Sequence, residues 1–135
     1  MKSLLPIAIV LVIATAYGLW YQRSRGKVVV KSDKGLITQE MIGAPLGARV
    51  TLVQFSSAFC SPCRATRMLL EDVTAEMSEV AYVEIDAEAN LELVRTLDIR
   101  STPTTLFLDR TGHEVGRAMG APKRDQVLSA ISAIR

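Results

Sequence analysis

The longest uncharged stretch of the sequence lies near its start, where no charged side chain occurs between Lys2 and Arg23. Residues 3–22 make 20 positions, and a helix of that length rises about 30 Å, the thickness of the hydrocarbon core of a bilayer. Trp20 and Tyr21 stand at its end, where amphipathic rings favour the membrane interface. The pattern therefore predicts one N-terminal transmembrane helix.

Two other interpretations of this segment stay open. A cleavable signal peptide would also begin with Lys2 and an apolar run, and Ala14-Thr15-Ala16 fits its small-x-small cleavage pattern. A buried core helix is the third interpretation. We favour an uncut anchor over residues 1–25, because apolar residues continue past that cleavage pattern through Leu19 and Trp20 and basic residues follow them. The protein is then expected in the cell membrane as a single-pass protein.

Basic residues near the segment indicate which side of the membrane the rest of the chain faces. Arg23, Arg25 and Lys27 follow the apolar run, whereas Lys2 and the terminal amine precede it. Since cytoplasmic flanks are enriched in Lys and Arg, this asymmetry favours the cytoplasm for the following domain, with the exported side as the alternative.

A folded domain is expected after a short tether. Residues 26–35 are interpreted as a linker in which Val28 to Val30 could add an edge strand, and residues 36–135 as the domain. Thr38 is a candidate N-cap of a short helix that Gly43 would end.

The central part of the domain alternates strand and helix patterns. Residues 50–56, "VTLVQFS", are almost continuously apolar and β-branched, which is typical of a strand covered on both faces. A helical pattern follows from about Cys60. Its buried stripe is predicted from apolar residues at fourfold spacing with one methionine beside them, namely Ala65, Leu69, Val73, Met77 and Met68.

The remaining elements complete an α/β pattern. Residues 81–86 predict a strand, residues 91–97 a short helix, and residues 104–109 and 114–120 a hairpin. A last helix is predicted from Pro122, with Val127, Leu128, Ile131 and Ile134 buried. The order βαβαββα indicates a mixed central sheet flanked by helices on both faces.

Composition fits one folded domain and excludes a nucleic-acid binder. Hydrophobic residues make up 49% of the chain and charged residues 22%, and the formal net charge is +2. Three of the 16 basic residues precede Lys27, which leaves 13 basic against 14 acidic residues from that position onward. A phosphate backbone requires a clustered basic face, so no nucleic-acid partner is expected.

The only two cysteines, Cys60 and Cys63, fall at a predicted strand-to-helix junction. A closed zinc site needs four ligands, and the chain adds only His113 to them. Haem attachment needs a histidine directly after the second cysteine, where Arg64 stands. A structural disulfide over so short a loop contributes little chain entropy. A redox-active dithiol is the interpretation we prefer, and no metal or cofactor is expected.

The helix start explains why Cys60 would be the reactive cysteine. Unpaired N–H groups and the partial positive charge of a helix N-terminus stabilise a thiolate, and Arg64 adds a full charge one turn on. Such surroundings lower a cysteine's pKa from about 8.5 toward about 7 or below. Pro62 is tolerated in the first turn and sets the spacing of the sulfurs. Cys60 is then the attacking thiolate, and Cys63 resolves the mixed disulfide.

Together these residues resemble the thioredoxin family. The family's pattern is an apolar strand, an aromatic residue, Cys-x-Pro-Cys, a helix and a proline about forty positions later, which here is Pro103. The resemblance covers about residues 49–135 and implies a thioredoxin-like fold. It also implies a cis-proline at Pro103 beside the sulfurs and a substrate-binding role for Thr102, Pro103 and Gly120.

The chain departs from thioredoxins proper at four positions. Those proteins carry Trp before the first cysteine, Gly after it, a buried Asp on the preceding strand and a Lys near it, where this chain has Phe59, Ser61, Gln54 and Tyr82. Gln54 cannot accept a proton, so deprotonation of Cys63 would depend on water or on the leaving thiolate. Phe59 could hold substrate or pack in the core. The residues expected to support the site are Phe59, Ser61, Pro62, Arg64 and Gln54.

The resulting hypothesis is a membrane-tethered thiol-disulfide oxidoreductase, a thioredoxin-like protein-disulfide reductase. It would use protein disulfides or dithiols as substrates, would need an electron donor, and would act as a monomer. The alternatives are an exported thioredoxin-like reductase for cytochrome c maturation, a redox-inert tethered adaptor and a metal carrier.

Overall fold

The computed structural model describes residues 4–24, 28–29 and 35–135. In chain order the elements are α1 Leu4–Ser24, β1 Val28–Val29, α2 Gln39–Ile42, β2 Val50–Ser56, α3 Ser61–Ala75, β3 Val80–Asp86, α4 Leu91–Thr96, β4 Thr104–Asp109, β5 Glu114–Met119 and α5 Arg124–Ala133. Five residues that the sequence-based predictions used lie outside the described residues: Lys2, Ser3, Arg25, Lys27 and Val30.

Helix α1 carries the apolar segment. Its stretch Leu4–Arg23 has 20 residues and a mean hydropathy of 2.0, and none of it is buried against the protein. By length and composition it could cross a membrane, and a signal sequence shares both properties. Tyr17 contacts Trp20 and Tyr21 with ring centroids 6.0 and 6.2 Å apart, so the aromatic side chains cluster at the end of the helix. The division into anchor, linker and domain remains a prediction.

A five-stranded mixed sheet forms the centre of the domain, in the order β1-β5-β4-β2-β3. Strands β2 and β3 are parallel, and the other neighbouring pairs are antiparallel. Every residue of β2 is buried, because the strand lies inside the sheet and helices cover both faces. The predicted α/β fold is confirmed, and β2 has the predicted bounds.

The two faces of the sheet hold separate apolar cores. One lies under α3 and α5 and includes Leu52, Leu70, Phe107, Val127 and Ile131. The other lies on the α2 and α4 side and includes Ile37, Phe55, Ile85, Leu97 and Leu106. Odd and even positions of β2 supply opposite faces, as the period of two of a strand requires.

The predicted buried stripe of α3 is partly wrong. The buried residues of this helix are Cys63, Thr66, Leu70 and Val73. Ala65 and Met68 are exposed, and Leu69 and Met77 are only partly buried. The buried face of α3 is therefore rotated from the predicted one and includes Cys63 and Thr66, which the apolar pattern did not select. Thr66 tolerates burial because its hydroxyl donates to the Pro62 carbonyl at 2.8 Å.

The predicted helix ends were correct for α2 and displaced for α5. The Thr38 hydroxyl accepts the Met41 N–H at 3.4 Å, and Gly43 ends α2 with a φ of 68°, a conformation that favours glycine. Helix α5 begins at Arg124, two residues after Pro122. The predicted burial of its apolar face is confirmed for Val127, Ile131 and Ile134, and Leu128 is half-buried.

An ion pair is buried between β5 and the segment that follows α4. The side chains of Arg117 and Glu114 are 6% and 2% exposed. The Arg117 Nη2 donates to Glu114 Oε2 at 2.8 Å and to the Leu97 carbonyl at 3.0 Å. Its Nη1 donates to the carbonyl of Asp98, a residue with a φ of 54°. Arg117 thereby ties the end of α4 to the sheet.

Candidate active site

Cys60 and Cys63 lie at the start of α3 and are joined by a disulfide bond. Cys60 is the N-cap of the helix, and its Sγ accepts the Cys63 N–H at 3.1 Å. This contact uses one of the N–H groups that a helix start leaves without an intrahelical partner. Cys63 is only 2% exposed, whereas Cys60 is half-buried. The structure therefore holds the oxidised pair, with the first sulfur toward solvent and the second beneath it.

The pair opens onto a cavity of about 640 Å³. The residues between and beside the cysteines, Ser61 and Arg64, line it and are exposed, and Pro62 is exposed in the same turn. Phe59 is 99% exposed, so the interpretation that it packs in the core is wrong. An unburied aromatic ring directly beside Cys60 is instead available for contact with another molecule.

Behind the cysteines, Gln54 is fully buried and both ends of its amide are bonded. Its Nε2 donates to the Cys63 carbonyl at 2.9 Å, and its Oε1 accepts the Tyr82 hydroxyl at 2.7 Å. Gln54 therefore connects the reactive turn to β3 through neutral hydrogen bonds. Burial, followed by the negative charge of Glu84, raises the pKa of Tyr82, so this hydroxyl stays protonated and can donate.

A carboxylate that the sequence reasoning missed, Glu84, completes this network. It pairs with Gln54 in the β2–β3 register, accepts the Ser56 hydroxyl at 2.9 Å and forms an ion pair with Arg67 of α3. Burial alone would raise the pKa of Glu84, but the hydrogen bonds and charge of Arg67 and the bond from Ser56 outweigh it and lower the pKa. The sequence "YVEID" could have predicted this contact, because residues two apart on a strand, such as Tyr82 and Glu84, lie on the same face of the sheet.

The three residues expected to bind substrate lie together at the same end of the sheet. The Thr102–Pro103 peptide bond is cis. The Pro103 carbonyl accepts the Gly120 N–H at 2.8 Å, and Gly120 has a φ of 88°, which favours glycine. The hydroxyls of Thr102 and Ser57 are 3.2 Å apart, which links this loop to the turn that precedes Cys60.

Comparison with known proteins agrees with this geometry. The family model described as Thioredoxin matches residues 39–133. Thioredoxin H2-1 of Oryza sativa subsp. japonica is 30% identical over 87 residues, which cover 64% of this chain and 62% of that protein. Thioredoxin of Chlamydia trachomatis serovar D is 27% identical over 97 residues, which cover 72% of this chain and 94% of that protein.

Among solved structures, that of Fasciola hepatica thioredoxin is similar, with a TM-score of 0.59 and 27% identity over 66% of this chain and 84% of that one. The chain spans 62% of the length of the rice relative, and most of the chlamydial protein. The family match covers well over half of the chain and contains both cysteines and Pro103. The resemblance read from the sequence is confirmed: the chain belongs to the thioredoxin family of thiol-disulfide oxidoreductases.

Proposed function

We propose that the chain is a membrane-tethered, monomeric reductase of protein disulfides, in which Cys60 attacks the substrate and Cys63 resolves the mixed disulfide. The observation that carries this assignment is the unequal burial of the two cysteines. Cys60 lies half-exposed at the helix N-cap, whereas Cys63 is 2% exposed. A substrate sulfur can approach only the first of them.

The reaction transfers two electrons in two exchange steps. The Cys60 thiolate attacks one sulfur of the substrate disulfide, and the other substrate sulfur leaves as a thiolate and takes up a proton. The Cys63 thiolate then attacks Cys60 Sγ, which releases the second substrate sulfur and forms the disulfide between Cys60 and Cys63. A dithiol electron donor must reduce that disulfide again before the next turnover.

The helix start favours the first step. The Cys63 N–H, 3.1 Å from Cys60 Sγ, and the partial positive charge of the α3 N-terminus both stabilise negative charge on that sulfur. The Arg64 guanidinium in the first turn of α3 adds a longer-range attraction. These interactions increase the thiolate fraction of Cys60 near neutral pH.

Proton removal from Cys63 has to proceed without a basic group at position 54. The Gln54 amide does not titrate. Glu84 is a poor acceptor, because Arg67 lowers its pKa. The proton of Cys63 is therefore transferred to water or to the departing substrate thiolate, and the second step is slower than it would be with a buried carboxylate.

Substrate binding is assigned to the loop beside the cysteines. Thr102 would pair with the substrate backbone, with Pro103 and Gly120 shaping the groove, as the family resemblance implies. Ser61 and Pro62 set the geometry of the turn between the cysteines, and Phe59 offers an apolar contact to the substrate.

Single cysteine variants of the full chain test the assignment. Cys60→Ser should abolish reduction of a protein disulfide, whereas Cys63→Ser should accumulate a mixed disulfide detectable on a non-reducing gel. Ser78→Ala, at an exposed serine between α3 and β3, is the matched control and should retain activity. Equal alkylation rates of the two thiols in the reduced native protein would contradict the assignment.

The same measurements separate the reductase from the other candidate functions. A redox-inert adaptor would retain partner binding in the Cys60→Ser, Cys63→Ser double variant and would show no redox-active pair on thiol trapping. A metal carrier would be purified with stoichiometric zinc.

We place the domain on the cytoplasmic face, because the basic residues flanking the apolar helix are concentrated on the domain side. A reporter fused after Arg135 tests this placement. Its activity on the exported side would favour the exported reductase for cytochrome c maturation.

A further inference from the structure

The strand register shows at which end of the sheet the chain enters the domain. Val28 of β1 pairs with Ala118 of β5, which pairs with Thr105 of β4, which pairs with Gln54 of β2. Val28 therefore lies in the row of Gln54, close to the carboxyl end of β2. Since β1 is antiparallel to β5 and β5 runs in the direction of β2, β1 begins at the end of the sheet that carries the cysteines.

Strand β1 is held in this place by packing as well as by pairing. Val28 packs against the apolar core under α3 and α5. The Gln54 row crosses four strands, so β1 and β2 are separated by three strand spacings, or about 14 Å. Val28 thus lies close to the active-site end of the sheet, and only about 14 Å separates its strand from β2.

The connection between this entry point and α1 is short. Helix α1 ends at Ser24 and β1 begins at Val28. Four Cα-to-Cα steps reach at most about 14 Å. Strand β5 has six residues and is about 20 Å long, so the opposite end of the sheet is farther from Val28 than this maximal reach.

We infer that the active-site end of the domain faces the bilayer surface, and that the substrates are disulfides of proteins embedded in the same membrane, held close to that surface. This inference rests on the proposed membrane tether. The end of α1, with Trp20 and Tyr21, marks the bilayer interface. A connection that reaches at most about 14 Å then keeps the Cys60 end of the sheet nearest to the lipid.

The distribution of exposed apolar side chains fits a partner at this end. Within residues 35–135, five large hydrophobic side chains are exposed. Three of them belong to segments at the active-site end: Phe59 before Cys60, Leu91 at the start of α4 and Met119 at the end of β5. Such side chains suit contact with the apolar surface of a membrane protein.

Energy transfer to lipid tests the orientation without reference to activity. A donor label is attached through a clickable non-canonical residue at one of two positions. One is Ala58, exposed beside the cysteines, and the other is Arg110, exposed in the β4–β5 turn at the opposite end of the sheet. Both cysteines stay intact, and the full chain is placed in nanodiscs whose headgroups carry an acceptor dye. The two positions differ in height by about 20 Å, so a label at position 58 should transfer several-fold more efficiently than one at position 110. Equal or reversed transfer overturns the inference.

A substrate assay tests the consequence for selectivity. Vesicles holding the full chain receive a lipid-anchored peptide whose disulfide lies next to the bilayer or beyond a long rigid spacer. The near disulfide should be reduced about tenfold faster, because the tether raises its effective concentration. A 15-residue Gly/Ser insertion between Gly26 and Lys27 should remove most of that preference, whereas the same insertion after Arg135 should not.

The outcomes distinguish this inference from the proposed function. Reduction of a soluble protein disulfide should be equal in the wild type and both insertion variants, and its absence in all three would refute the reductase itself. Reduction of soluble and anchored disulfides without a distance preference would refute only the membrane-facing orientation. A chain that does not remain in nanodiscs would refute the tether and the orientation together.

Discussion

Gln54→Asp would place a carboxyl group where the structure has a fully buried amide. The Gln54 side chain bonds the Cys63 carbonyl at 2.9 Å and the Tyr82 hydroxyl at 2.7 Å. Aspartate is one methylene shorter and has no donor when ionised, so the substitution removes the first bond and weakens the second. A lost hydrogen bond costs about 1 kcal/mol, so one lost and one weakened bond should lower the free energy of unfolding by about 1 to 2 kcal/mol at any pH.

A further loss should depend on pH. Burial disfavours the charged carboxylate, and Glu84 on the neighbouring strand adds a like charge, so the pKa of the new group should rise above its unfolded value of about 3.9. Below that pH the group is protonated in both states, and the further loss is absent. As pH rises through the folded pKa, the loss grows to about 3 to 4 kcal/mol for a shift of two to three units.

Gln54→Asn is the matched control, because it has the length of aspartate without its charge. Denaturant unfolding of the oxidised full chain in micelles, from pH 4 to pH 8, gives the difference between the two variants. That difference should be near zero at pH 4 and widen toward pH 8. A difference that does not change with pH would refute the burial of position 54 and its alignment with the family's carboxylate.

The same variant should change the chemistry of Cys63. A carboxylate at position 54 could accept the thiol proton when the mixed disulfide resolves, a role worth about a hundredfold in favourable geometry. Stopped-flow release of an aromatic thiol from a mixed disulfide with Cys60 measures this step. Gln54→Asp should resolve faster than Gln54→Asn near pH 7, and equal rates would show that position 54 does not serve Cys63.

Three further predictions address other parts of the chain. Glu114→Gln leaves the Arg117 charge buried and uncompensated, and it should lower the free energy of unfolding by about 3 to 5 kcal/mol. The control Glu79→Gln, in an exposed pair, should lower it by only about 0 to 1 kcal/mol. Similar losses in the two variants would contradict the difference in burial. Because the pKa of Glu84 is lowered in the folded state, the wild type should be more stable than Glu84→Gln above about pH 4.3. It should lose that advantage as pH falls through the folded pKa of Glu84, and unfolding measured as a function of pH tests this. Deleting residues 1–25 should leave a soluble, redox-active domain with a cooperative unfolding transition, and loss of cooperativity would show that the segment belongs to the core.

The features that follow one local period were predictable from the sequence. Strand β2 is apolar except at Thr51, Gln54 and Ser56, and its bounds, 50–56, agree with the prediction. The position of the cysteines at the junction with α3 followed from the change of period after that strand. The Thr38 cap also follows from residues within one turn of each other.

Features that depend on contacts between distant residues were not predictable in this way. Glu84 meets Arg67 only because β2 and β3 pair in one register and α3 presents one particular face to them. That face differs from the predicted one, since buried positions of α3 are held by Cys63 and Thr66, which a count of apolar residues does not select. Likewise, hydropathy assigns Glu114 and Arg117 to the surface, whereas both are buried.

The buried pair of Glu114 and Arg117 also constrains how this sequence can diverge. Replacing either residue alone passes through an intermediate that carries an uncompensated charge in the core. Lysine cannot substitute for Arg117, because one ammonium group cannot reproduce the bonds that the guanidinium makes to Glu114, Leu97 and Asp98 together. Descendants of this chain should therefore keep both residues or lose both, so that positions 114 and 117 covary although each is remote from the reacting sulfurs.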